Sequence, residues 1–210
     1  MAKAFIAVLA GTNGAGKSSA GGALLSQNGV PYFNPDEVAR EISANHPALP
    51  QSKLNSLAWH EGLQQLQEAI RLRRNHAFES TLGGSTITST LEQAINAGLE
   101  VRIWYVGLES PELHIARVQA RVARGGHPIP EAMVRQRFDS SRLNLIRLMP
   151  GLSELKVFDN SAESDPSLGK RPEPILLLHV IKGKLLGPGQ AELMKSPDWA
   201  KPIIAAALNL

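Results

Sequence analysis

The sequence predicts a three-layer α/β domain, a mainly parallel sheet flanked by helices, and three observations carry that prediction. Short apolar runs alternate with longer helical patterns along most of the chain. The first run, Phe5-Ile6-Ala7-Val8-Leu9-Ala10, passes directly into the glycine-rich stretch Gly11-Thr12-Asn13-Gly14-Ala15-Gly16-Lys17-Ser18. A chain of 210 residues with 43% hydrophobic and 20% charged residues has the size and make-up of one domain, residues 1–210, around one sizeable core.

The elements follow in order. Phe5–Ala10 is a buried first strand, and a helix runs from Lys17 to about Gln27, closed by Asn28-Gly29 with Gly29 suited to a left-handed cap. Tyr32-Phe33 is a short second strand. Asn34-Pro35-Asp36-Glu37 opens a helix that His46-Pro47-Ala48-Leu49-Pro50 breaks. A long helix spans about Ser52 to Arg74, with Leu54, Leu57, Leu63, Leu66 and Ile70 at mixed three- and four-residue spacing. Ala77-Phe78-Glu79 reads as the third strand, Ser85–Ala97 as a helix stopped at Gly98, and Val101–Val106 as a strong fourth strand. Ser110-Pro111 starts a helix, with proline at its first position, that carries Arg117, Arg121 and Arg124 along one face. After a break at Gly125–Pro130, a second helix runs to Met149-Pro150-Gly151; residues 111–150 form an arginine-rich helical lid. Lys156–Asn160 is strand five, Ser161–Pro174 a polar surface loop, and Ile175–Ile181 an edge-type strand turning at Lys182-Gly183-Lys184. A short helix and tail complete the C-terminal part, 175–210.

Several classes are excluded. Without cysteine the chain has no disulfide, no thiolate metal site and no cysteine nucleophile. Its six histidines (46, 60, 76, 114, 127, 179) have no zinc-like spacing. No run approaches the roughly 20 apolar residues of a membrane span. The N-terminal apolar run looks like a signal peptide, but cleavage there would destroy the glycine-rich loop, so it reads as a strand and the expected compartment is the cytoplasm. Net charge is only +3, yet seven of the thirteen arginines lie between Arg117 and Arg147, in a stretch with no lysine. Arginine without lysine points to forked contacts with phosphate oxygens. Poor aromatic interleaving, with Phe138 alone in the stretch, argues against nucleic acid as the partner.

The loop at 11–18 has the G-x-x-x-x-G-K-[ST] pattern, in which backbone N–H groups cradle nucleotide phosphates. Gly11, Thr12, Asn13, Gly14, Ala15, Gly16, Lys17, Ser18 and Ser19 are the expected contacts to ATP. Lys17 reaches the β- and γ-phosphates, and the Ser18 hydroxyl ligates Mg²⁺. Phosphoryl transfer also needs a carboxylate to orient or deprotonate the acceptor hydroxyl. Asp36, just after strand two, is the leading candidate, with capping of its own helix as the competing role. Glu79 ends strand three, with Ser80 and Thr81 behind it. Which acid binds acceptor, acts as base or assists Mg²⁺ stays open at this level. No acid follows strand four in Walker B fashion, since Val106 runs into Gly107-Leu108-Glu109. That weighs against a motor-type ATPase. His127, in the Gly-Gly-His-Pro break, is either a substrate contact or part of a lid closure.

The blocks Gly-Thr-Asn-Gly-Ala-Gly-Lys-Ser (11–18), Asn-Pro-Asp-Glu (34–37), Phe-Glu-Ser-Thr-Leu-Gly-Gly (78–84), the arginine-rich run through Gly-Gly-His-Pro-Ile-Pro-Glu (117–131), Arg-Gln-Arg-Phe-Asp-Ser-Ser-Arg-Leu-Asn-Leu (135–145) and Phe-Asp-Asn-Ser (158–161) occur together in this order. With them the chain resembles the zeta toxin family. That resemblance implies a P-loop NTPase/kinase fold and transfer of the ATP γ-phosphate, with Mg²⁺, to a hydroxyl of a sugar nucleotide such as UDP-N-acetylglucosamine. It makes Asp36 the acid that deprotonates the acceptor and Glu79 a substrate contact. Two lid arginines meet the γ-phosphate; Arg121 and Arg137 are chosen, with Arg117 and Arg124 close behind. The expected catalytic set is therefore Lys17, Asp36, Arg121 and Arg137, and the acceptor contacts are Asp36, Glu79, Thr81, Arg117 and Arg124. An antitoxin protein is a possible partner. A nucleotide-binding switch with slow ATPase activity and a polynucleotide kinase are the rival readings.

Overall fold

The computed structural model describes residues 3–17, 32–162 and 173–210. The expected helix after the loop, its Asn28-Gly29 cap, and Ser18 and Ser19 lie outside the described residues, as does most of the polar loop expected at 161–174. In chain order the elements are β1 (Phe5–Ala10), β2 (Tyr32–Phe33), α1 (Pro35–Asn45), α2 (Gln51–Leu72), β3 (His76–Ser80), α3 (Ser85–Asn96), β4 (Glu100–Gly107), α4 (Pro111–Val122) and α5 (Glu131–Leu148). A 3₁₀ turn at Met149–Gly151 then leads to β5 (Glu154–Asp159), β6 (Ile175–Ile181), β7 (Lys184–Gly187), α6 (Gln190–Leu193) and α7 (Lys201–Leu208).

One sheet has the order β2-β3-β1-β4-β5-β6-β7. The first five strands are parallel, β6 runs antiparallel to β5, and β7 antiparallel to β6. β1 therefore pairs with β3 on one side and β4 on the other, so the strand order reverses at β1. Ligands in open α/β sheets bind in the crevice outside the carboxyl ends of the strands at such a point. The register sets Ala10 beside both Ser80 and Tyr105, and Gly107 beside Asp159. The loops after β1, β2, β3, β4 and β5 thus all open onto one edge.

β1 reads as a continuous apolar run because both of its faces are covered. Ile6, Val8 and Ala10 belong to the main core with Leu66 of α2, Leu91 of α3, Leu145 of α5 and Ile203 of α7. Ala7 and Leu9 face the other way, with Ala15, Ala77 and Val106. α1 and α2 share a satellite cluster of Ala39, Leu54 and Ala58.

Three expectations are corrected, and the C-terminal tail gains a role. Ile175–Ile181 is not an edge strand, because β7 adds beyond it through the tight turn at Lys182-Gly183. Leu57 is exposed, since the buried stripe of α2 runs through Leu54, Ala58, Leu66 and Ala69 and uses alanines that a leucine pattern passes over. α4 ends at Val122, so Arg124 lies past the helix that was to carry it. The C-terminal tail is also structural: Trp199 is buried against Gly107, where a Cβ would come within 2.3 Å of its ring, and its Nε1 donates to Asp159 Oδ1 at 3.1 Å. Among the described residues no helix is long and apolar enough to cross a membrane.

Candidate active site

The loop after β1 is built for a ligand that needs bare backbone. Gly11, Gly14 and Gly16 have φ of 141°, 84° and 85°, conformations that L side chains rarely adopt. A Cβ at these positions would lie 2.1 Å from Val106 O, 2.6 Å from His114 O and 2.5 Å from Asn160 Nδ2. The surrounding strands pin the loop in turn: Gly11 N donates to Ser80 O at 3.2 Å, and Asn160 Nδ2 donates to Ala15 O at 2.8 Å. Asn160 belongs to the Phe-Asp-Asn-Ser block, whose Asp159 accepts from Trp199 and from the Ser161 hydroxyl. That block is a brace for the loop.

Lys17 is buried and folded back. Its Nζ donates to Gly11 O at 2.8 Å and lies 3.5 Å from Glu79 Oε1. Glu79 reaches it because Ala77 and Glu79 alternate onto the face of β3 that also meets Tyr32, in register with Ala77. Tyr32 donates its hydroxyl to Glu79 Oε2 at 3.1 Å, and burial followed by the Glu79 charge pushes the phenol pKa far up, so it stays a donor.

Asp36 does not cap its helix. Asn34 is the N-cap, its Oδ1 accepting from Asp36 N at 2.9 Å, with Pro35 at the first helical position. The Asp36 carboxylate, about half exposed, is left to face Arg121 and His127. Arg121 Nη1 lies 3.6 Å from its Oδ2 and His127 Nε2 lies 3.9 Å from its Oδ1. Arg121 Nη2 also donates to His127 O at 3.3 Å, and Gly126 packs so closely that a Cβ would come 2.8 Å from Arg121 Cγ. Arg121, Gly126 and His127 thus pack together beside Asp36.

The other arginines separate. Arg137 donates to Asn13 Oδ1 at 2.7 Å and so stands on the phosphate loop, and its burial pulls the guanidinium below the usual arginine pKa. Arg117 is bound to the carbonyls of Ser161 and Ala162 at 3.3 and 3.2 Å. Arg124, exposed, turns back onto Ala120 O at 3.0 Å. Neither of these two is brought to Asp36 or Glu79. Thr81 lies two residues beyond Glu79, just past the end of β3, but its hydroxyl accepts from Gly83 N at 3.3 Å within its own loop.

Sequence reasoning missed how α5 grips that loop. Ser140 and Ser141 donate to Gly83 O and Thr81 O at 2.9 and 2.6 Å, and Asn144 donates to Leu82 O at 2.7 Å. Leu82, fully buried, is thereby held at a φ of 51°, a strained position for a leucine next to a site. The one trace of this grip in the sequence, three small polar residues on one side of an otherwise arginine-rich helix, is what a solvated face shows as well.

His114 was also missed. It is buried, its Nδ1 donates to Asn13 O at 2.8 Å, and burial lowers it from 6.5 to about 4, so the ring is neutral at pH 7. The unfolded chain takes up this proton near pH 6.5 and the folded one only near 4, so the fold loses stability as pH falls through that window. The span corresponds to about 3 kcal/mol. His76, lowered by burial as well, acts in the same direction. We expect His114→Gln to flatten the acid-side loss: its urea midpoint should drop less between pH 6.5 and 4.5 than that of the native chain. Equal drops would contradict this account.

A phosphate loop on the first strand of a 2-3-1-4-5 parallel core, with Asp36 just after β2, Glu79 near the carboxyl end of β3 and arginines from the later helices, defines a P-loop kinase. The chain belongs to the zeta toxin family, whose pattern matches residues 2–163. A protein of Haemophilus influenzae, described as uncharacterised, is 32% identical over 129 residues, covering 61% of this chain and 88% of the relative. Among solved structures, AvrRxo1-ORF1:-ORF2 with ATP superposes with a TM-score of 0.64 at 17% identity, over 93% of this chain and 64% of that one. The PezAT chromosomal toxin–antitoxin system of Streptococcus pneumoniae gives 0.53 at 15% identity, over 82% of this chain and 75% of that one. At these identities the structural likenesses establish the fold.

Proposed function

We propose that the protein transfers the γ-phosphate of ATP to a hydroxyl of a sugar nucleotide such as UDP-N-acetylglucosamine. One observation supports this above the others: two of the three phosphate-directed cations are paired with acceptor-directed acids, Lys17 with Glu79 and Arg121 with Asp36. Nucleotide phosphates arriving at the loop would draw both cations away and leave both carboxylates for the acceptor.

In this reading Lys17 turns from Glu79 to the β- and γ-oxygens, and Asp36 accepts the proton of the attacking hydroxyl. Arg121 follows from the lid, and Arg137, already on the loop, meets the γ-phosphate; together they balance the charge on the transferring group. The bare-glycine cradle fits phosphate oxygens, and by the motif Ser18 would hold Mg²⁺ with the phosphates. The metal would neutralise phosphate charge. Glu79, steadied by Tyr32, orients the acceptor. The Gly125–Pro130 segment closes over the site to keep out water, which competes for the phosphoryl group. Because a neighbour in fold belongs to a toxin–antitoxin system, an antitoxin-like protein is a further proposed partner.

The test is incubation of the purified protein with Mg·ATP and a panel of UDP-sugars, simple sugars, nucleosides and oligonucleotides, read by mass spectrometry, with Lys17→Ala as control. A phosphorylated UDP-sugar absent from the control supports the reading. Transfer to oligonucleotide ends alone, or no transfer at all with ATP binding intact, would overturn it.

A further inference from the structure

Among the lid arginines, Arg137 is held differently from the rest. Its backbone carbonyl accepts from Thr12 Oγ1 at 3.2 Å, and its stem lies on Gly83, where a Cβ would come 2.6 Å from Cγ. Its guanidinium donates to Asn13 Oδ1 at 2.7 Å. Asn13 is anchored in turn, its carbonyl accepting from His114 Nδ1 at 2.8 Å. His114 meets the ring of Phe138, the residue after Arg137, edge to face with centroids 5.7 Å apart. The contacts therefore close a circuit from α4 through the phosphate loop to α5 and back.

Arg121 has no such circuit. It rests on Asp36 and on the His127 carbonyl, in a segment that follows two glycines, and among the described residues it makes no hydrogen bond to the phosphate loop. An arginine that is free before binding loses rotamer entropy when it engages a ligand, whereas one already fixed loses little. Within the loop, the Asn13 side chain spends its carbonyl oxygen on Arg137.

We propose that Asn13 is a positioning residue that presets Arg137 over the phosphate loop, and that this pin is what lets the loop distinguish a nucleoside triphosphate from a diphosphate. The inference rests on the reading above in which Arg137 meets the γ-phosphate. A charge-assisted hydrogen bond of this kind is among the stronger ones, and losing it lets the guanidinium sample solvent.

Calorimetric titration of the full chain with Mg·ADP and with Mg·AMP-PNP, a non-hydrolysable triphosphate, measures the preference as a ratio of affinities and needs no acceptor. Asn13→Ala is expected to lower the triphosphate preference about tenfold. Gly83→Ala, which pushes the Arg137 stem from outside the loop, is expected to lower it in the same direction. If Asn13→Ala weakens both nucleotides alike, the side chain only shapes the loop and the proposal falls. Arg137→Ala separates the two layers. Should it leave the ratio at its native value, Arg137 does not meet the γ-phosphate and both readings fail. Should it collapse the ratio while Asn13→Ala and Gly83→Ala do not, only the positioning role is lost.

Discussion

Asp36→Asn is expected to lower phosphoryl transfer by about 10²–10⁴, the usual contribution of a positioned general base, while the protein stays folded and still binds nucleotide. The separation is possible because Asn34, not Asp36, accepts the helix-capping hydrogen bond. The substitution keeps shape and hydrogen-bonding capacity at the second position of α1 and removes only the charge. Helix α1 gives up an acid in its first turn, a loss of about 0.3–1 kcal/mol. The contacts with Arg121 and His127 are long and about half exposed, so their loss adds little. Single-turnover transfer compared with the thermal midpoint checks this. A variant that keeps transfer within threefold, or one that unfolds, would show that Asp36 serves the helix and not the acceptor.

Asp36 shows both the reach and the limit of reading this chain as a sequence. Asn-Pro-Asp-Glu announces a helix start after a strand, and that places an acid at the sheet edge shared with the phosphate loop. Which of Asn34 and Asp36 caps the helix depends on one rotamer, and composition cannot show it. The phosphate loop and β1 were legible because the motif is local and both faces of β1 are covered. The arginines of α4 and α5, and of the segment between them, were harder. Their roles turn on where α4 stops: with its last residue at Val122, Arg124 swings back to Ala120 while Arg121 is the last to face Asp36. The grip of Ser140, Ser141 and Asn144 on the Thr81–Gly83 carbonyls joins residues 57 to 62 apart. Nothing in a helical spacing distinguishes such residues from a solvated face. β7 and the seat of Trp199 escaped for a related reason, since β7 gains its structure from the strand it pairs with and Trp199 from the core it meets.

Lys17→Ala is expected to abolish transfer, and the geometry adds a second effect that the motif alone does not foresee. Lys17 and Glu79 are both mostly buried, with side-chain exposures of 7% and 12%, and lie 3.5 Å apart. Removing the lysine leaves Glu79 as a charge near the sheet edge with its cation gone, although Tyr32 still donates to it. Breaking one partner out of a fully buried pair costs about 3–5 kcal/mol. Because Glu79 keeps Tyr32 and a path to solvent, the expected loss is smaller, about 1–3 kcal/mol. Pairing Lys17→Ala with Glu79→Gln removes the charge that Lys17 had met, so the double variant should recover part of that stability and none of the transfer. Urea unfolding of the native chain, both single variants and the double variant closes the cycle, with a coupling of about 1 kcal/mol or more expected between the two sites. Additive losses would mean that the buried lysine and glutamate are neighbours without being partners, and that Lys17 is free to meet phosphate without first leaving an acid.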